Sequence, residues 1–94
     1  MATGIGDALR ALEQRMDDSE KADSLAVGVW CDRTENPGIL AVVRNGKLET
    51  LAIASRYRDR LDRRVLKDAV EAVVLNAFVA FKEDRNRIRA EMKV

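Results

Sequence analysis

Six basic side chains fall between positions 56 and 67: Arg56, Arg58, Arg60, Arg63, Arg64 and Lys67, against Asp59 and Asp62. Guanidinium groups match phosphate oxygens through paired hydrogen bonds, so this run is a candidate polyanion site. A solvated connection whose charges pair with Asp59 and Asp62 is the plainer alternative. A second set, Arg85, Arg87, Arg89 and Lys93, lies near the C-terminal end. On a helix, with about 100° between successive residues, Arg85, Arg87 and Arg89 spread around the axis instead of lining one stripe. Tyr57 has a ring able to stack on a base, although packing is the commoner use of such a ring.

Other chemistries are poorly supplied. The 94 residues contain no histidine, which removes the usual general base, the usual metal ligand and the Ser-His-Asp and Cys-His kits. Cys31 is alone, so no disulfide forms within the chain. It alternates with core positions and reads as a small buried hydrophobe. Trp30, its neighbour, reads as core as well. Gly4-Ile5-Gly6 follows no strand and lacks a third glycine, so it is no dinucleotide fingerprint. There is no CxxC pair, no Walker-type loop and no clustered acidic triad. The expectation is a protein that is not an enzyme and needs no cofactor and no metal.

Composition sets the frame around these residues. Hydrophobic residues make up 47% and charged residues 35%, values of a folded domain rather than a disordered tail. The length allows one domain, taken as residues 1–94. No apolar run reaches the roughly 18–20 residues of a membrane span, and the start lacks the basic and apolar regions of a signal peptide. A cytoplasmic location is the default expectation. The net charge of +1 conceals polarity: Asp7 to Asp23 holds six acidic and three basic residues, whereas the run from Arg56 is strongly basic.

The elements that must carry these groups follow from periodicity. Ile5, Leu9, Leu12 and Met16 recur at helical spacing and predict a short amphipathic helix over 5–20, broken at Asp17-Asp18-Ser19-Glu20. Alternation predicts a first strand from Leu25 to Cys31. Thr34-Glu35-Asn36-Pro37-Gly38 is turn chemistry. A second strand runs from Ile39 to Arg44 and a third from Lys47 to Ala54. Asn45-Gly46 between them favours a type I′ turn, because both central residues accept positive φ. That loop predicts pairing of Val43 with Leu48, Ala41 with Thr50 and Leu40 with Leu51. One face would then hold Ile39, Ala41, Val43, Leu48 and Ala52, and the other Leu40, Val42, Leu51 and Ile53. Residues 56–64 read as a connection without periodicity. Val65 to Met92 then forms one long helix with no Gly or Pro inside.

Both sheet faces are apolar, and the long helix is apolar nearly all round from Ala69 to Phe81. One short extra helix cannot cover so much surface, so a homodimer is expected. Val70, Val73, Val74, Ala77, Phe78 and Phe81 are its candidate interface residues. Beyond Lys82 the helix turns polar and reads as an arm. The fold class is therefore α+β: an α-β-β-β-α protomer with a three-stranded antiparallel meander, a short N-terminal helix and a long C-terminal one.

The stretch Gly38-Ile39-Leu40-Ala41-Val42-Val43-Arg44-Asn45-Gly46, then Leu48 to Ile53, then Leu66-Lys67-Asp68-Ala69-Val70-Glu71-Ala72-Val73-Val74-Leu75-Asn76-Ala77-Phe78, resembles the YbaB/EbfC family of bacterial nucleoid-associated proteins. The likeness spans roughly residues 25–92. It implies a tweezer-like homodimer whose helical arms contact duplex DNA with little sequence preference. Family members usually carry a longer first helix rich in Gln, Met and Lys, whereas this one is acidic. The resemblance places DNA at the arm, so Arg85, Arg87, Arg89 and Lys93 are expected to matter more than Arg56, Arg58, Arg60, Arg63 and Arg64. The alternative from another class is a dimeric adaptor or secretion-chaperone-like accessory protein, which binds a protein partner and no DNA.

Overall fold

A computed structural model describes residues 3–92 and arranges them as α1 (Thr3–Leu25), β1 (Val27–Cys31), β2 (Ile39–Arg44), β3 (Lys47–Ile53), α2 (Ser55–Arg60) and α3 (Arg63–Met92). The strands form one antiparallel meander in the order β1-β2-β3. The architecture is α+β, with a short helix α2 inside the stretch expected to be a plain connection. Among the described residues no helix is long and apolar enough to cross a membrane.

Asn45 and Gly46 both have positive φ, 53° and 73°, as a type I′ turn requires. The hairpin begins as expected, with Arg44 opposite Lys47 and Val43 opposite Leu48. A bulge then intervenes at Glu49, and Val42 faces Thr50, Ala41 faces Leu51 and Leu40 faces Ala52. The expected partners Ala41–Thr50 and Leu40–Leu51 are thus displaced by one residue. Side chains alternate faces along a strand, so one extra residue exchanges them. Leu51 and Ile53 join the face of Ile39, Ala41 and Val43, while Ala52 moves to that of Leu40 and Val42. The bulge keeps Leu48, Leu51 and Ile53 together on the core side, and Glu49 pairs with Arg44 at 3.1 Å.

Helix α3 lies across β1 and β2. Its Val73, Ala77 and Phe81, four residues apart, close a core with Ala26, Ile39, Ala41 and Val43. Three of the six expected dimer-interface residues are therefore inside the protomer: Val73, Ala77 and Phe81 are taken by the chain's own sheet. Val70, Val74 and Phe78 are half-buried on its flank. The contact is close because β1 offers Gly28 to the helix. A Cβ there would stand 2.1 Å from the Ala77 carbonyl oxygen and 2.5 Å from the Phe81 nitrogen. Helix and strand backbones touch at this point, and only glycine permits it.

This geometry sets which face of β1 is buried. Ala26 and Gly28 are buried against α3, whereas Val29 stays 50% exposed and Cys31 only half-buried. Trp30, expected in the core, is 46% exposed, because α3 passes over the small residues earlier in the strand.

Helix α1 runs straight through the predicted break at residues 17–20 and ends at Leu25. Tertiary contact overrides weak local propensity here. Ala22 is fully buried, and Asp23 meets Arg85 of α3 at 3.6 Å. Asp62 begins α3: its carboxylate accepts the Arg64 N–H at 3.4 Å and its carbonyl accepts that of Leu66 at 2.9 Å. The chain measures 71 × 23 × 15 Å, with a radius of gyration of 18.9 Å. A compact chain of this length has about 12 Å.

Candidate nucleic-acid interface

The basic residues divide into three groups with different surroundings. The first joins the β1–β2 loop to α2. Asp32 accepts the Gly38 and Ile39 amides at 2.9 and 3.1 Å, and its second oxygen accepts the Tyr57 hydroxyl. The Tyr57 ring lies over Gly38, where a Cβ would fall 2.1 Å from the ring. Tyr57 is thus a packing residue, the alternative to base stacking. Partial desolvation works to raise the Asp32 carboxyl, but the Tyr57 hydroxyl and the two amides outweigh it and hold the group below its ordinary value. The same hydrogen bond, from the partner's side, pushes the Tyr57 phenol up. Arg33 and Arg56 both donate to the Asn36 carbonyl, and Arg56 also stands 5.3 Å from the Tyr57 ring centroid. Arg56 is therefore committed to holding the loop.

The second group is the arm. Arg85 is half-buried between Asp23, at ion-pair rather than hydrogen-bond distance, and the Phe81 ring 6.0 Å away. Arg87 donates to Asp84 at 2.7 Å and to Glu91 at 2.8 Å. Asp84 in turn accepts the Val27 amide at 3.0 Å, which fastens β1 to the helix. That amide, and then Arg87, hold the Asp84 carboxyl below its ordinary value. Arg89 is half-buried without an ion pair among the described residues. Lys93 lies outside the described residues. Two of the arm arginines, Arg85 and Arg87, thus already face carboxylates.

The third group is the corner between α2 and α3. Arg58, Arg60, Arg63 and Arg64 are all exposed, and none has a carboxylate within ion-pair distance among the described residues. Arg63, Arg64 and Lys67 line a surface depression together with Asp62 and Asp68. Lys67 reaches Glu71 only at 3.9 Å. The charge pairing with Asp59 that the plainer alternative calls for does not form among the described residues, and Asp62 caps α3. Arg63, Arg64 and Lys67 can meet phosphates at this depression, while Arg58 lines a second one beside Leu51, Ala52 and Ile53.

Asp32 and Asp84, the two carboxylates that orient everything else, had no signature in the sequence. Gly28 had one, an isolated glycine inside a strand pattern, which signals close approach of another backbone. Among the described residues no group of three or more His, Cys, Asp or Glu is placed to hold a metal ion. Comparison with protein-family models, with curated proteins and with solved structures finds no significant match.

Proposed function

We propose that the chain is a non-catalytic homodimer that binds duplex DNA through its phosphates, with little sequence preference, at the bacterial nucleoid. The observation that carries this reading is the α2–α3 corner, where Arg58, Arg60, Arg63 and Arg64 stand exposed without carboxylate partners among the described residues. The order of elements, helix, meander and long helix, agrees with the resemblance to the YbaB/EbfC family. A dimer is supported by shape and surface. The protomer is extended, and Leu75 and Val79 of α3 are 66% and 49% exposed.

Fluorescence anisotropy of a labelled duplex across a salt series tests the reading. Phosphate contacts give a log–log slope of about −0.9 per neutralised phosphate, and near-neutral net charge points to a Kd on the order of micromolar at physiological salt. Binding should be indifferent to duplex sequence. If no duplex is bound even at low salt, the exposed apolar residues of α3 become the leading feature, and the adaptor reading replaces this one.

A further inference from the structure

The face of α3 turned away from the sheet has a pattern of its own. Asp68, Ala72, Leu75, Val79 and Lys82 follow one another at alternating spacings of four and three, and all five are exposed. Such spacing draws one seam along a helix, the pattern by which two helices interlock. The seam has an apolar centre and opposite charges at its two ends. Neither Asp68 nor Lys82 has an ion pair among the described residues.

We infer that this seam is the dimer interface, occupied by the same seam of a second copy running antiparallel about a two-fold axis at Leu75. The proposal rests on the homodimer named above and adds its geometry. An interface across a two-fold must be complementary to itself. Reversing the seam onto itself sets Leu75 against Leu75 of the partner subunit and Ala72 against Val79 of the partner subunit. Asp68 then meets Lys82 of the partner subunit, and the reciprocal pair closes the other end. Small meets large, acid meets base, and no like charges face each other along these five positions. A parallel arrangement would stack Asp68 on Asp68 of the partner subunit and Lys82 on Lys82 of the partner subunit, which repel.

The antiparallel stagger has a consequence for the basic corner. By helix rise it sets Arg63, the first residue of α3, level with Arg87 of the partner subunit. The corner of one protomer and the arm of the other would then lie at the same end of the dimer.

Charge reversal tests the seam, because all changed positions are exposed and lie outside the core. Sedimentation equilibrium should find the wild type dimeric. Asp68→Lys alone and Lys82→Asp alone should each weaken association about tenfold or more, since two attractive pairs become two repulsive ones. The double variant should restore it. In a Cys31→Ala background, Leu75→Cys should oxidise to a covalent dimer, whereas Val29→Cys should not. A dimeric wild type that ignores both charge reversals and fails to cross-link through position 75 overturns the seam and leaves the dimer and DNA readings standing. A monomeric wild type overturns the seam and the homodimer together.

Discussion

The two ends of α3 use arginine in opposite ways. At the C-terminal end Arg85 meets Asp23 of α1, and Arg87 meets Glu91 and the same Asp84 that holds the Val27 amide of β1. At the N-terminal end Arg58, Arg60, Arg63 and Arg64 have no such partners among the described residues. An arginine already matched to a carboxylate must lose that pairing before it can take a phosphate, whereas an unpaired exposed one exchanges only water and counterions. The contrast assigns structural work to the arm, and under the proposed function it is the corner that meets the polyanion. Position along the chain and residue type are the same in kind at both ends; the neighbouring acids make the difference.

The most severe way to break this contrast is to unseat the arm altogether. Gly28→Ala should cost at least about 3 kcal/mol and leave little folded protein, because the new methyl meets helix backbone rather than a movable side chain. Thermal unfolding followed by circular dichroism reads this directly. Replacing Arg58, Arg60, Arg63 and Arg64 by Ala should remove most DNA binding and reduce the salt slope by up to about 3.6 for each chain in contact with the duplex, with the melting temperature nearly unchanged. Arg85→Ala with Arg87→Ala should do the reverse and lower the melting temperature by a few degrees while retaining most of the salt slope. If the arm pair abolishes binding and the corner set does not, the assignment of the two ends is inverted.

A finer change is Asp84→Asn, which keeps the shape but weakens the acceptor of the Val27 amide and removes the charge facing Arg87. It should cost about 1 kcal/mol in chemical denaturation at neutral pH. The pH dependence follows from the direction of the shift. The folded-state carboxyl of Asp84 lies below its ordinary value of 3.8, so its contribution is complete above that value and is lost as pH falls through the lower folded one. Acid unfolding of Asp84→Asn should therefore be shallower than that of the wild type, with the two curves converging at the acid end. The smallest expected effect belongs to Cys31→Ala, about 1 kcal/mol or less at a half-buried position, with DNA binding intact.

The parts of the fold legible in the sequence are those set by local chemistry. Asn45-Gly46 announced the hairpin, and the uninterrupted stretch to Met92 announced α3. What escaped was set by contacts distant in sequence. The bulge at Glu49 places Leu51 on the core side, a choice made by the sheet as a whole and invisible in a turn rule. Helix α1 passes Asp17-Asp18-Ser19-Glu20 because Ala22 and Asp23 find α3, some sixty residues away. Val73, Ala77 and Phe81 looked like interface because the sequence shows a helix apolar on every side without showing which side meets the sheet. Of the candidate site, the arginines themselves were legible, whereas the carboxylates that separate bound from available ones became visible only once the chain was folded.

The bulge in β3 bears finally on what the sheet can become. A three-stranded sheet has two open edges, and an open edge invites another strand. At β1 the Val27 amide, which would otherwise be offered to a newcomer, is already held by Asp84. At β3 the extra residue breaks the even ladder that an incoming strand would have to match, and Lys47 and Glu49 put charge beside it. The edge still shows Leu48 and Leu51, so the guard there is geometric as much as electrostatic. Each edge of the ladder thus carries a feature that hinders growth by strand addition, an occupied amide at one and a bulge at the other.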